Sequence, residues 1–75
     1  MKSIEQVVAE FMSYEGNRIF GRSQVREIVE EVAGEFAESG HAITKERKEE
    51  AVNQIMAMQK MRINLRVGAY NEFYR

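Results

Sequence analysis

Cysteine, aspartate, tryptophan and proline are all missing from this 75-residue chain, and histidine occurs once, as His41. Without cysteine there is no disulfide to reinforce a small core and no thiolate for a zinc site. A serine triad would have to be built on His41 with a glutamate as its acid, and no nucleophile-elbow sequence surrounds any serine. Glu38 and His41 have the Glu-x-x-His spacing of carboxylate-bridged di-metal bundles. Ser39 and Gly40 fall between them, however, and that pair terminates a helix, which keeps the two side chains off a common turn. None of the five glycines precedes Lys followed by Ser or Thr, so no phosphate loop is present. The neighbouring carboxylates Glu30 and Glu31, or Glu49 and Glu50, point about 100° apart on a helix and are expected to be solvated rather than to converge on one bond. The sequence therefore predicts a protein that is not an enzyme and takes no cofactor, no metal and no small-molecule substrate.

Long apolar runs are missing too. Nothing approaches the ~20 residues of a bilayer-spanning helix, and Met1-Lys2-Ser3 leads into an apolar and acidic alternation without a signal-peptide core. A cytoplasmic protein with no membrane partner is expected. With 44% apolar and 31% charged residues the chain should fold, and its formal net charge of -1 offers no global field for nucleic acid. The charge is unevenly spread: the middle of the chain is acidic and the end is basic. A chain this short buries only about 60% of its unfolded surface, which favours support from a partner or a second copy.

Ser3 and Gln6 have the spacing of a capping box, and a first helix is predicted over 3–16. Ile4, Val7, Val8, Phe11 and Met12 share one face of it, and Gly16 and Asn17 supply the stop. After a link carrying Ile19 and Phe20, Ser23 offers an N-cap for a second helix over 23–39. Val25, Ile28, Val29, Val32, Ala33 and Phe36 form its apolar stripe. Gly34 lies towards its polar side, where it either weakens the helix by about 1 kcal/mol relative to Ala or admits a close neighbour. Thr44 caps a third helix over 44–67, whose first turns, Lys45 to Glu50, are charged all round before Ala51, Val52, Ile55 and Met58 restore an apolar face. From Met61 two periods coexist. Met61, Ile63, Leu65 and Val67 alternate with polar residues as in a strand, whereas Met58, Met61, Leu65 and Ala69 keep helical spacing with Gly68 as a C-cap. The expected fold is all-α, a single domain over 1–75. It is a small three-helix bundle or a dimerising helical hairpin, with a short C-terminal strand or extended arm as the alternative ending.

Three surfaces are left for a partner. Glu27, Glu31, Glu35 and Glu38 run for about 16 Å down the second helix, a line of carboxylates suited to a basic protein surface. The segment 59–75 sets Lys60, Arg62 and Arg66 before Tyr70, Phe73 and Tyr74. Arginine and aromatics are the residues of protein hot spots, and also of nucleic-acid grips, where cations neutralise phosphate and a ring stacks on a base. Met56, Met58 and Met61 add adaptable thioethers. Phe20 to Arg26 resembles the second-helix entry of ribbon-helix-helix repressors, a family that would imply a DNA-reading strand ahead of the first helix, where this sequence has only Met1 and Lys2.

The functional expectation is a small non-catalytic module that docks stoichiometrically on a larger protein or complex. Inhibitors, antitoxin-like regulators and adaptors of phages and mobile elements have this size and plainness, and homodimerisation would use the same surfaces. A DNA- or RNA-binding regulator working through the basic segment is the alternative, and a self-assembling structural subunit the third.

Overall fold

In the computed structural model, which describes residues 2–14, 16 and 18–73 with side chains through residue 62, three helices make up the chain: α1 (Ile4–Ser13), α2 (Arg22–Glu38) and α3 (Lys45–Phe73). Every pair of them is in contact, so the fold is a three-helix bundle and not a hairpin awaiting a second copy. The capping box at α1 forms as its spacing predicts. The Gln6 amide donates to Ser3 Oγ at 3.2 Å, and Gln6 Oε1 accepts from the Ser3 amide at 2.8 Å. Thr44 Oγ1 likewise accepts from the Arg47 amide at 3.1 Å.

Two boundaries differ from expectation at the link between α1 and α2. α1 ends at Ser13, with Tyr14 as its C-cap, and Gly16 takes a φ of 77° in the turn that follows. α2 is capped by Gly21 and not by Ser23. Glycine has no side chain to accept from the first turn, so only the reciprocal half of a box exists there: Gln24 Oε1 accepts from the Gly21 amide at 3.0 Å. The end of α2 follows the glycine rule. Gly40, at φ 86°, lets its own amide reach the Ala37 carbonyl at 3.0 Å and the His41 amide reach Phe36 at 2.8 Å, a Schellman closure. Glu38 therefore ends the helix and His41 lies beyond it.

The core is built from the predicted stripes. Ile4, Val8 and Met12 of α1 meet Val25, Ile28, Val29, Val32 and Ala33 of α2, and Ala51, Val52 and Ile55 of α3, with Phe20 inserted from the link. Phe11, expected on the buried face of α1, is instead exposed: α1 fully buries only a narrow i, i+4, i+8 edge, Ile4, Val8 and Met12, with Val7 and Ala9 half-buried beside it. Gly34 has nothing within 4 Å of where a Cβ would lie, so no close neighbour explains it among the described residues. Gly34→Ala is expected to stabilise the protein by about 0.5 to 1 kcal/mol, read as a higher denaturant midpoint at constant m.

The charged start of α3 pins the other two helices. Arg47 forms a bidentate pair with Glu5 of α1, one of its bonds being 2.7 Å from Nη2 to Oε2. Lys48 reaches Glu30 at 3.1 Å, and Glu49 accepts from Arg22 and Arg26 of α2 at 3.3 and 3.1 Å. Glu30 and Glu49 are thus cross-helix partners, exposed but not merely solvated. The side chain of Glu5 is only 12% exposed, and its hydrogen bond to Arg47 holds the carboxyl below the ordinary 4.5 against the opposing pull of desolvation. A carboxyl lowered on folding contributes stability that is present above about pH 4.5 and lost as pH falls through the folded value. Melting temperatures between pH 3 and 6 should fall more steeply for the parent protein than for Glu5→Gln, which at pH 7 is expected to be less stable by about 1 to 2 kcal/mol, between the ranges for exposed and buried pairs.

The two-period segment is helical. α3 continues through Gly68 to Phe73, excluding the strand or extended arm and overrunning the predicted end at 67. Among the described residues no strand exists for 61–67 to pair with, and without proline nothing breaks a helix already propagating from α3's packed half. At 1.5 Å per residue α3 is about 44 Å long against about 26 Å for α2. The molecule is accordingly elongated, 53 × 23 × 22 Å.

Candidate functional site

Where α1 ends and the middle of α3 passes beneath the link, a groove of about 380 Å³ opens to solvent. Ala9 and Met12 of α1 and Ile55 and Met58 of α3 give it an apolar wall. Arg18 and Arg62 are its two charged lining residues among those described. The α3 contribution follows helical register, since Ile55, Met58 and Arg62 are three and four residues apart.

Gln59 holds this region together. It is 4% exposed, on a helix face otherwise occupied by Val52 and Ile55. Its Oε1 accepts from the Phe20 amide at 2.9 Å, and its Nε2 donates to the Phe20 carbonyl at 3.0 Å. One side chain thus satisfies both backbone groups of a buried link residue, as a neighbouring strand would. Nε2 also lies 3.4 Å from Met56 Sδ. With Phe20 fixed, Arg18 sits over its ring with the guanidinium carbon 5.3 Å from the centroid.

The exposed large apolar side chains among the described residues are Phe11, Tyr14, Ile19, Met58 and Met61. They come from α1, the link and α3, and of the five only Met58 lines the groove. Met58 is 48% exposed and Met61, one turn further along α3, 64%. α2 contributes no lining residue. Its predicted acidic row is exposed throughout, and no ion pair joins Glu27, Glu31, Glu35 or Glu38 to another described residue. The structure therefore separates the acidic row from the groove instead of joining them.

Of the basic and aromatic segment, Arg62 lines the groove and Lys60 is exposed outside it. Arg66, Tyr70 and Phe73 stand on the α3 backbone, but their side chains lie outside the described residues, as does Tyr74 altogether. Arg18 and Gln59 were not singled out by sequence reasoning. Gln59 had a legible signal, a polar residue in the register of a buried stripe four residues after Ile55. Arg18 had none.

Fold and groove together describe a three-helix bundle with one extended helix and an apolar, arginine-lined cleft at its link. No family model, curated protein or solved structure matches the chain. Among the described residues no helix is long and apolar enough to cross a membrane, and no group of three or more metal-binding side chains assembles.

Proposed function

We propose that this protein is a cytoplasmic, non-catalytic interaction module that binds another protein stoichiometrically through the groove and the adjoining face of α3, as an inhibitor, regulator or adaptor does. One observation carries this reading: Met58, half exposed, stands in the groove wall and Met61 is exposed one turn further along α3, while α2 buries Val25, Ile28, Val29, Val32 and Ala33 and turns its glutamates out. Half-exposed apolar side chains beside charged ones are common features of docking surfaces, and Met58 stands in the groove wall with arginines beside it. Methionines fit irregular partners.

Site-specific photocrosslinking tests it. A photoreactive phenylalanine analogue at position 58 is expected to capture a defined protein at one-to-one stoichiometry in source cells, and the same analogue at position 31 on α2 is not. Equal labelling from both positions, or recovery of nucleic acid in place of protein from position 58, would count against the reading.

A further inference from the structure

We infer that α1 is a hinged wall of the groove: it swings off the α2–α3 pair as one unit about Gly16, taking the groove apart and re-forming it, while the clamp between Gln59 and Phe20 keeps the rest of the chain in place. The inference concerns the opening itself and holds whatever docks in the groove.

The groove is complete only while α1 is seated. Ala9, Met12 and Ser13 of α1 stand on one side of it, and Ile55, Met58 and Gln59 of α3 on the other. The seat is a light one. α1 has ten residues, fewer than the about 12 to 15 that an isolated helix needs in water. It fully buries only Ile4, Val8 and Met12, and Phe11 and Tyr14 at its end are 46% and 90% exposed. Glu5 adds an ion pair to Arg47 of α3. The other two helices are joined more extensively. α2 buries Val25, Ile28, Val29, Val32 and Ala33, α3 buries Ala51, Val52 and Ile55, and the pairs Lys48 with Glu30, Arg22 with Glu49 and Arg26 with Glu49 lace the two together.

The link marks where such a movement begins and where it stops. Gly16 has a φ of 77° and nothing within 4 Å of where a Cβ would lie, so its dihedrals change without a side chain to obstruct them. Arg18 and Ile19 beyond it are exposed. At Phe20, which is 7% exposed, the Gln59 side chain holds both the amide and the carbonyl. A displacement of α1 is therefore absorbed at Gly16 and halted at Phe20.

Native-state hydrogen exchange of the full chain, followed amide by amide at low denaturant, is the test. After correction for intrinsic rates, the Val8 and Met12 amides are expected to exchange at least about tenfold faster than those of Val29, Val32, Val52 and Ile55, through one shared opening whose denaturant dependence is weaker than that of global unfolding. The Phe20 amide is expected to stay with the slow set. Two variants order the events. Glu49→Gln loosens α2 from α3 and is expected to speed exchange at Val29 and Val52 about two- to fivefold while leaving Val8 and Met12 unchanged, because the α2–α3 contacts persist in the open form. Glu5→Gln unseats α1, which stabilises the closed form against opening and unfolding alike, and is expected to speed all four amides about five- to thirtyfold. Equal protection of α1 and α2, or acceleration of Val8 and Met12 by Glu49→Gln, would mean that the helices open only together and overturns the inference. So does α1 exchange that is graded towards Ser13 and indifferent to denaturant, the mark of a fraying end. Exchange of Phe20 with the fast set would carry the clamp away with α1 and overturn the hinge.

Discussion

Replacing Gln59 by Leu is expected to destabilise the protein by about 2 to 4 kcal/mol, although the change places an apolar side chain of similar size at a buried helix position. The glutamine now serves both the amide and the carbonyl of Phe20, and Phe20 is itself 7% exposed. Leucine can serve neither group. Each buried backbone group left without a partner costs about 1 to 3 kcal/mol, partly relieved where water can enter from the groove. Gln59→Glu makes a sharper comparison, because a carboxylate can accept from the Phe20 amide but cannot donate to its carbonyl. It should therefore be destabilising as well, and less so at acid pH where the protonated carboxyl can donate. Denaturant unfolding of the two variants at pH 7 and pH 4, each referred to the parent protein, measures both effects. Stability equal to the parent for Gln59→Leu would mean that the link does not depend on the clamp.

The clamp also marks the limit of what periodicity can disclose. Ile4, Val8, Val29, Val32, Val52 and Ile55 are buried where their spacing puts them, because helix registers of three and four translate directly into a face. Ser3 and Thr44 cap their helices because a hydroxyl three residues before a free amide has little else to do. Gln59 lies in the same register as the stripe, yet its role depends on Phe20, 39 positions away in sequence. No local pattern encodes that pairing. Phe11 shows the reverse case: its spacing is that of a core residue, but three helices crossing at close range leave α1 only a narrow buried edge, and a residue at the border of a stripe is exposed by packing that one helix cannot reveal.

The candidate site was legible in part for the same reason. Arg62 and the methionines stood out through composition, since a partner-facing helix rich in arginine and methionine differs from a plain amphipathic one. The acidic row of α2 stood out as strongly, and it lies away from the groove. Charge spacing along one helix indicates which side chains share a face and not which element that face is turned towards. Arg18 joins the site only because the clamp holds the link against α3.

Ile55→Ala is expected to have the largest effect of any single truncation considered, about 2 to 5 kcal/mol, while Met58→Ala, one turn away on the same helix, should cost about 1 kcal/mol or less. Ile55 is 2% exposed and packs into the cluster where the three helices meet. Removing its side chain forfeits the transfer free energy and leaves a cavity that neighbouring side chains fill only partly. A domain of this size has a total stability of roughly 4 to 11 kcal/mol at about 0.05 to 0.15 kcal/mol per residue, so the loss is a large fraction of it. Met58, half exposed at the groove, leaves no enclosed void when truncated. Under the proposed docking function its loss should appear in partner binding. The two variants thus separate stability from docking: Ile55→Ala should lower the denaturant midpoint steeply, and Met58→Ala should leave it nearly unchanged while weakening capture of the partner. Ile55→Val should fall between them at about 0.5 to 1.5 kcal/mol, as a graded loss of buried carbon requires. Equal midpoints for Ile55→Ala and Met58→Ala would contradict the placement of the core's boundary between these two residues.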